Sequence, residues 1–173
     1  ATASGSNVWA GPVFIGDSTA RIGAEDGGNL TVAGNISDRG FNLPMLFRPG
    51  LGSTLILNGS SNSWGGNTTV FGTDASSRVV LGTPDAFPTN SLLLVGGNAT
   101  LELNGFDQTS AGLAWATGGN TTPPMINNGG PLATLTLNPV ANQNFPGDIT
   151  GSINVVKAGT NVQTLAGANL GYT

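Results

Sequence analysis

The chain alternates apolar and polar residues with a period of two, in runs too short for anything but strands. Leu30-Thr-Val32, Leu55-Ile-Leu57, Leu101-Glu-Leu103, Leu135-Thr-Leu137 and Ile153-Asn-Val155 mark the pattern. Such a period places successive side chains on opposite faces of a pleated strand. Each run spans only a few residues before Gly, Asn, Asp or Pro closes it. Gly and Asn accept the left-handed backbone that a tight corner needs. Ala111–Ala116 is the nearest approach to a helical stretch, but glycines flank it and no helical stripe continues. The expected class is all-β.

Many short strands suit a sandwich, a barrel or a solenoid, and repetition separates these. "TLILNGSSNSW" (Thr54–Trp64) parallels "VQTLAGANLGY" (Val162–Tyr172), matching Leu57 with Leu165 and Trp64 with Tyr172. "NVWAGPVFIG" (Asn7–Gly16) parallels "NSWGGNTTVFG" (Asn62–Gly72), matching Trp9 with Trp64, and "AGNIS" (Ala33–Ser37) parallels "PGDIT" (Pro146–Thr150). An aromatic corner that recurs reads as architecture: Trp9, Trp64 and Tyr172 lid the apolar core beside a glycine turn. Phe106 and Trp115 take the same reading. The chain is read as one β-solenoid domain over residues 1–173, with imperfect repeats around 7–50 and 51–160 and the start of another at 161–173. At roughly 25 residues per coil it makes about seven coils. Inward Leu, Ile and Val then stack from coil to coil, and Thr, Ser and Asn form outward ladders.

Composition narrows the function. Charged residues make up only 8%, the net charge is −4, and there are 28 glycines. With Arg21, Arg39, Arg48, Arg78 and Lys157 as the only cations, scattered singly, the footprint of a nucleic-acid binder is missing. No apolar run is long enough for a membrane-spanning helix. The absence of cysteine and histidine removes disulfides, Ser-His-Asp and Cys-His catalysis and most transition-metal sites. The opening "ATASGS" lacks the basic start and apolar core of a signal peptide, so it reads as a mature end or the middle of a longer chain.

The run "TLILNGSSNSWGGNTTV", then "VVLG" (Val79–Gly82) and "NATLELNGFDQTSAGL" (Asn98–Leu113), resembles the autotransporter-associated β-strand repeat. The most specific stretch is "LELNGFDQTSAGL", where Leu-Asn-Gly, Gln-Thr and Gly-Leu fall in the repeat's order. "INNGGPLATLTL" (Ile126–Leu137) and "FPGDITGSINVVKAGT" (Phe145–Thr160) resemble its later portion. The resemblance implies a right-handed parallel β-helix, exported and displayed at a bacterial cell surface. No translocator barrel lies within the 173 residues, so the chain reads as a passenger segment or as a repeat used without that route.

The expected function is structural: an extracellular solenoid forming a surface fibre or adhesin stalk, not an enzyme. Neither end carries an amphipathic helix or charged hairpin as a cap, and the chain stops at "NLGYT" within a repeat. The first coil of one copy is therefore expected to stack on the last coil of another, through Val8, Trp9 and Val13 at one end and Leu165, Leu170 and Tyr172 at the other. Continuation of a longer passenger chain is the alternative cover for those ends. Two other functions stay open. One is a glycan-binding module, with exposed aromatics such as Trp115 as platforms. The other is a polysaccharide-degrading enzyme, for which Glu102 and Asp107 are the carboxylates that could meet across a coil. Otherwise Glu102 belongs to an exposed ladder, and Asp17, Asp38, Asp74, Asp85, Asp107 and Asp148 sit singly in turns. No cofactor is expected, and a stabilising calcium ion is left open. Six sequons place possible glycosylation at Asn29, Asn35, Asn58, Asn67, Asn98 and Asn120.

Overall fold

The computed structural model describes residues 5–118, 123–168 and 171–172. They form an all-β, parallel solenoid of about seven turns without a helix. One face stacks β1 (Ser6–Trp9), β4 (Asn29–Val32), β7 (Thr54–Leu57), β9 (Arg78–Leu81) and β11 (Thr100–Glu102), then the first parts of β14 (Met125–Leu137) and β16 (Asp148–Lys157). A second stacks β3 (Arg21–Ile22), β6 (Met45–Phe47), β8 (Thr68–Gly72), β10 (Leu93–Gly97) and β13 (Leu113–Ala116). The third begins as β2 (Val13–Phe14) on β5 (Ile36–Ser37) and continues through a Ser37–Ser63 bridge. It ends as β12 (Gln108–Ser110) against the later parts of β14 and β16. A last pair, β15 (Gln143–Phe145) and β17 (Gln163–Leu165), lies beyond β13. Every pairing is parallel, so the expected coil stacking is what the chain adopts.

Register converts the period-two pattern into columns. Leu30, Leu55, Val79, Leu101, Ile126 and Ile149 form one inward column, and Val32, Leu57 and Leu81 form another. Opposite them run Ile22, Phe47, Val70, Val95 and Trp115. Coils ~4.8 Å apart bring each of these side chains into contact with its column neighbours. The outward ladders are less polar than the sequence suggests. Ile56 and Val80 stand outward on the first face, Leu46 and Leu94 on the second, each half-buried.

Polar residues enter the interior where corners leave main-chain groups without ladder partners. Gln108, 1% exposed, accepts from Phe87 N and donates to Phe87 O. Between β13 and β15 the ladder is interrupted. There Gln163 donates to Leu113 O at 2.8 Å and accepts from Leu113 N at 2.9 Å. In each case a side-chain amide stands in for a peptide group. The motif "LELNGFDQTSAGL" therefore has a physical reading. Leu101 and Leu103 fill the core, Asn104 and Gly105 make a left-handed corner at φ 54° and 83°, and Gln108 closes the gap to the preceding coil.

Candidate functional site

The first coil ends in an open apolar face. Trp9, Val13 and Ile22 come from three different sides of the coil, and with Leu30 and Val32 they line a hollow of about 230 Å³. Trp9 stands at the head of the column that continues as Val32, Leu57 and Leu81, yet it is 57% exposed where those residues are buried. Val8 faces outward from the same strand and is likewise exposed. Strands β1, β2 and β3 each pair on one side only among the described residues.

At the other end Leu165 is half-buried in the register of Phe145, and Tyr172 packs partly buried against the core. Gly171 N donates to Ile149 O, which sets Gly171 beside β16. Leu170 lies outside the described residues.

Trp9 and Trp64 do not occupy equivalent corners. Trp9 belongs to β1 and pairs with Val32, whereas Trp64 follows the Ser37–Ser63 bridge on another face. Trp64 is inside the solenoid, 2% exposed, donating through Nε1 to Thr68 Oγ1 and tilted against Phe47 at 5.8 Å. It lids nothing, because coils lie on both sides of it. The two glycines that follow answer a close approach: a Cβ on Gly66 would meet the main chain of Leu43 and Pro44 at 2.6–2.8 Å. Trp115 holds the inward register of Val95 but remains partly exposed, as the last member of its column.

Beside Trp64 lies an open groove of about 470 Å³ across three successive coils, reached by Asp38, Ser63 and Asp85. Asp38 looked like an ordinary turn residue and is more than that. It is 3% exposed and accepts from Gly40 N at 2.8 Å and from Leu43 N and Gly65 N at 2.9 Å. Gly65 belongs to the next coil, so one carboxylate ties the 38–43 loop to its neighbour. Burial alone would raise the Asp38 pKa, but the N–H bonds from Gly65, Gly40, Leu43 and Asn42 outweigh it and hold the carboxyl below its ordinary value. Hydroxyl and N–H donors lower Asp17 through Thr19 and Asp74 chiefly through Ser76 and Ser77.

A carboxyl depressed in the folded state adds stability above its unfolded pKa and loses it as pH falls through the folded one. The urea midpoint is therefore expected to drop from about pH 4 downward. Asp38→Asn should show a smaller acid-induced drop than the parent, from a lower starting midpoint. Equal acid drops in both would show that Asp38 takes no part.

Glu102 departs from the exposed ladder expected of it. It takes an outward register but is 7% exposed, because Asn127 and Gly129 of β14 close over it. It accepts from Asn127 Nδ2 and Gly129 N, both at 2.6 Å. Asp107 instead accepts from Thr134 N, so the two carboxylates share no partner. Among the described residues no three Asp or Glu groups are gathered as a cation site. Of the sequon residues, Asn29, Asn35, Asn58 and Asn67 are exposed. Asn98 is half-buried with Oδ1 unpartnered, and Asn120 lies outside the described residues.

Comparison with models of known families, with characterised proteins and with solved structures finds no match to this chain.

Proposed function

We propose that this protein is a structural solenoid of an extracellular bacterial fibre, in which the open face at Trp9 receives the last coil of a second copy. The observation that carries the reading is that face: an apolar hollow framed by three strands, each with an edge that is unpaired among the described residues. A coil laid on it would bury Trp9, Val13 and Ile22 and extend three parallel ladders together. A head-to-tail contact of this kind does not close on itself, so it propagates along the solenoid axis. The resemblance of "LELNGFDQTSAGL" to a surface-displayed repeat and the scarcity of charge support the extracellular role.

Light scattering and negative-stain microscopy test it on the purified chain. Assembly should grow with concentration into unbranched filaments. Val13→Asp places a carboxylate in the apolar hollow and should raise the concentration needed for assembly at least about tenfold. A soluble monomer at high concentration overturns the proposal and leaves the face to a preceding stretch of a longer chain.

A further inference from the structure

An Asn-Gly pair can react with itself. Glycine has no side chain in the way, so its main-chain nitrogen can reach the asparagine Cγ and close a five-membered imide. The chain contains three such pairs, Asn58-Gly59, Asn104-Gly105 and Asn128-Gly129. As dipeptides they are equal, and the fold makes them unequal. Gly105 N donates to Asn128 Oδ1 at 2.7 Å, and Gly129 N donates to Glu102 Oε1 at 2.6 Å. Both nitrogens are thereby held away from attack. Their asparagines are tied as well. Asn104 Nδ2 donates to Leu81 O at 3.3 Å, and Asn128, 3% exposed, donates to Pro131 O and Ser152 O at 2.6 Å.

Asn58-Gly59 has none of these restraints. Asn58 is exposed, and neither its side-chain amide nor Gly59 N makes a hydrogen bond among the described residues. The electrophile meets water and the nucleophile is free. Asp26-Gly27, the one Asp-Gly pair of the sequence, gives the contrast. There Gly27 N donates to Leu51 O and Asp26 Oδ1 accepts from Leu51 N, both at 2.8 Å, so each half of the pair is held.

We infer that Asn58 is a site of self-modification, converting to isoaspartate in the folded protein with water as the only co-reactant. Gly59 N bonds to Asn58 Cγ as the Cγ–Nδ2 bond breaks. The amide group leaves as ammonia, carrying the proton that Gly59 N gives up, and nothing is oxidised or reduced. Water then opens the imide. Addition at the main-chain carbonyl leaves the chain running through Cγ, which is isoaspartate, and addition at Cγ gives aspartate. Either product puts a carboxylate where an amide stood. Isoaspartate also inserts a methylene ahead of Gly59, at a corner with no slack. A Cβ on Gly59 would meet Asn62 Oδ1 at 2.7 Å and Gly34 O at 2.8 Å, and the Gly59 carbonyl accepts from Asn62 Nδ2 at 3.0 Å. Asn62 in turn bonds Ile36 N in the preceding coil and Ala86 O in the next, so the lengthened link disturbs three coils.

Incubation of the full chain at mildly alkaline pH, with peptide mass mapping of all three pairs over time, tests it. In the folded protein Asn58 should convert at least about tenfold faster than Asn104 or Asn128, because those two must first break hydrogen bonds by local opening. In urea strong enough to unfold the chain the three rates should agree within about threefold, since the dipeptide alone then sets them. Fragmentation at the Cα–Cβ bond should identify isoaspartate at position 58. The converted fraction, separated by its added charge on anion exchange, should unfold at a lower urea concentration than the parent. Asn58→Gln, whose longer side chain closes no five-membered imide by this route, should lack that acidic form. Val13→Asp should convert as the parent does, so the outcome is readable whether or not the chain assembles. Equal folded-state rates at the three pairs, aspartate as the only product, or no conversion at Asn58 within the time that all three react in urea each overturns the inference.

Discussion

Phe47→Ala is expected to destabilise the solenoid by about 3–5 kcal/mol, toward the upper end of that range. Phe47 has no exposed surface and sits in the column between Ile22 and Val70. Its ring is tilted against Trp64 at 5.8 Å and Phe87 at 5.6 Å, so truncation removes two aromatic contacts as well as buried area. The cost of such a truncation depends on how far the surroundings can collapse. Here they can collapse little. Ladders above and below hold the main chain of Phe47 at a fixed spacing, and Trp64 is tied to Thr68 by its indole N–H. Urea unfolding followed by far-ultraviolet circular dichroism reads the loss. Phe41→Ala is the comparison, because its exposed ring should change stability by less than about 0.5 kcal/mol. A Phe47→Ala loss below about 1.5 kcal/mol would show that the coils do relax around the cavity.

That contrast between two phenylalanines also shows where the sequence was legible. The alternation in Leu55-Ile-Leu57 or Leu101-Glu-Leu103 is local, and local chemistry suffices to mark a strand and its inward face. The Gly, Asn and Asp closures are local too, so the succession of coils could be read directly. What a residue meets across the stack is not local. Trp9 and Trp64 share an Asn-x-Trp-x-Gly frame in sequence, yet Trp9 lies exposed in β1 at the open end and Trp64 is buried on another face with a coil on each side. Asp38 resembles any aspartate before a turn, and its bond to Gly65 N arises from a register 27 residues on. Glu102 alternates as an outward residue should, and it is buried by Asn127 and Gly129 of the next coil's strand. The groove was illegible for the same reason. Its two sides belong to separate coils, and positive φ at Arg39 and Asp85 leaves no trace in residue type beyond a weak preference of Asp for corners.

Gln108→Leu is the second substitution expected to have a large effect, about 1–5 kcal/mol, although leucine matches the size and apolarity of the interior. Glutamine at this position does not contribute by packing alone. Its amide exchanges bonds of 3.1 Å with both Phe87 N and Phe87 O, in a place where water does not reach. Leucine leaves both main-chain groups buried and unpaired, at about 1–3 kcal/mol each. The apolar side chain then returns about 1 kcal/mol. Gln108→Glu separates this account from simple packing. An ionised carboxylate still accepts from Phe87 N but has no proton for Phe87 O, and it carries a charge into the interior. Lowering the pH protonates it and restores the donor. The stability gap between the parent and Gln108→Glu should therefore narrow as pH falls toward about 4, while the gap to Gln108→Leu stays unchanged. Parallel pH dependence of the two gaps would mean that Gln108 is held by shape, and that the amide bridge between coils contributes nothing to the stack.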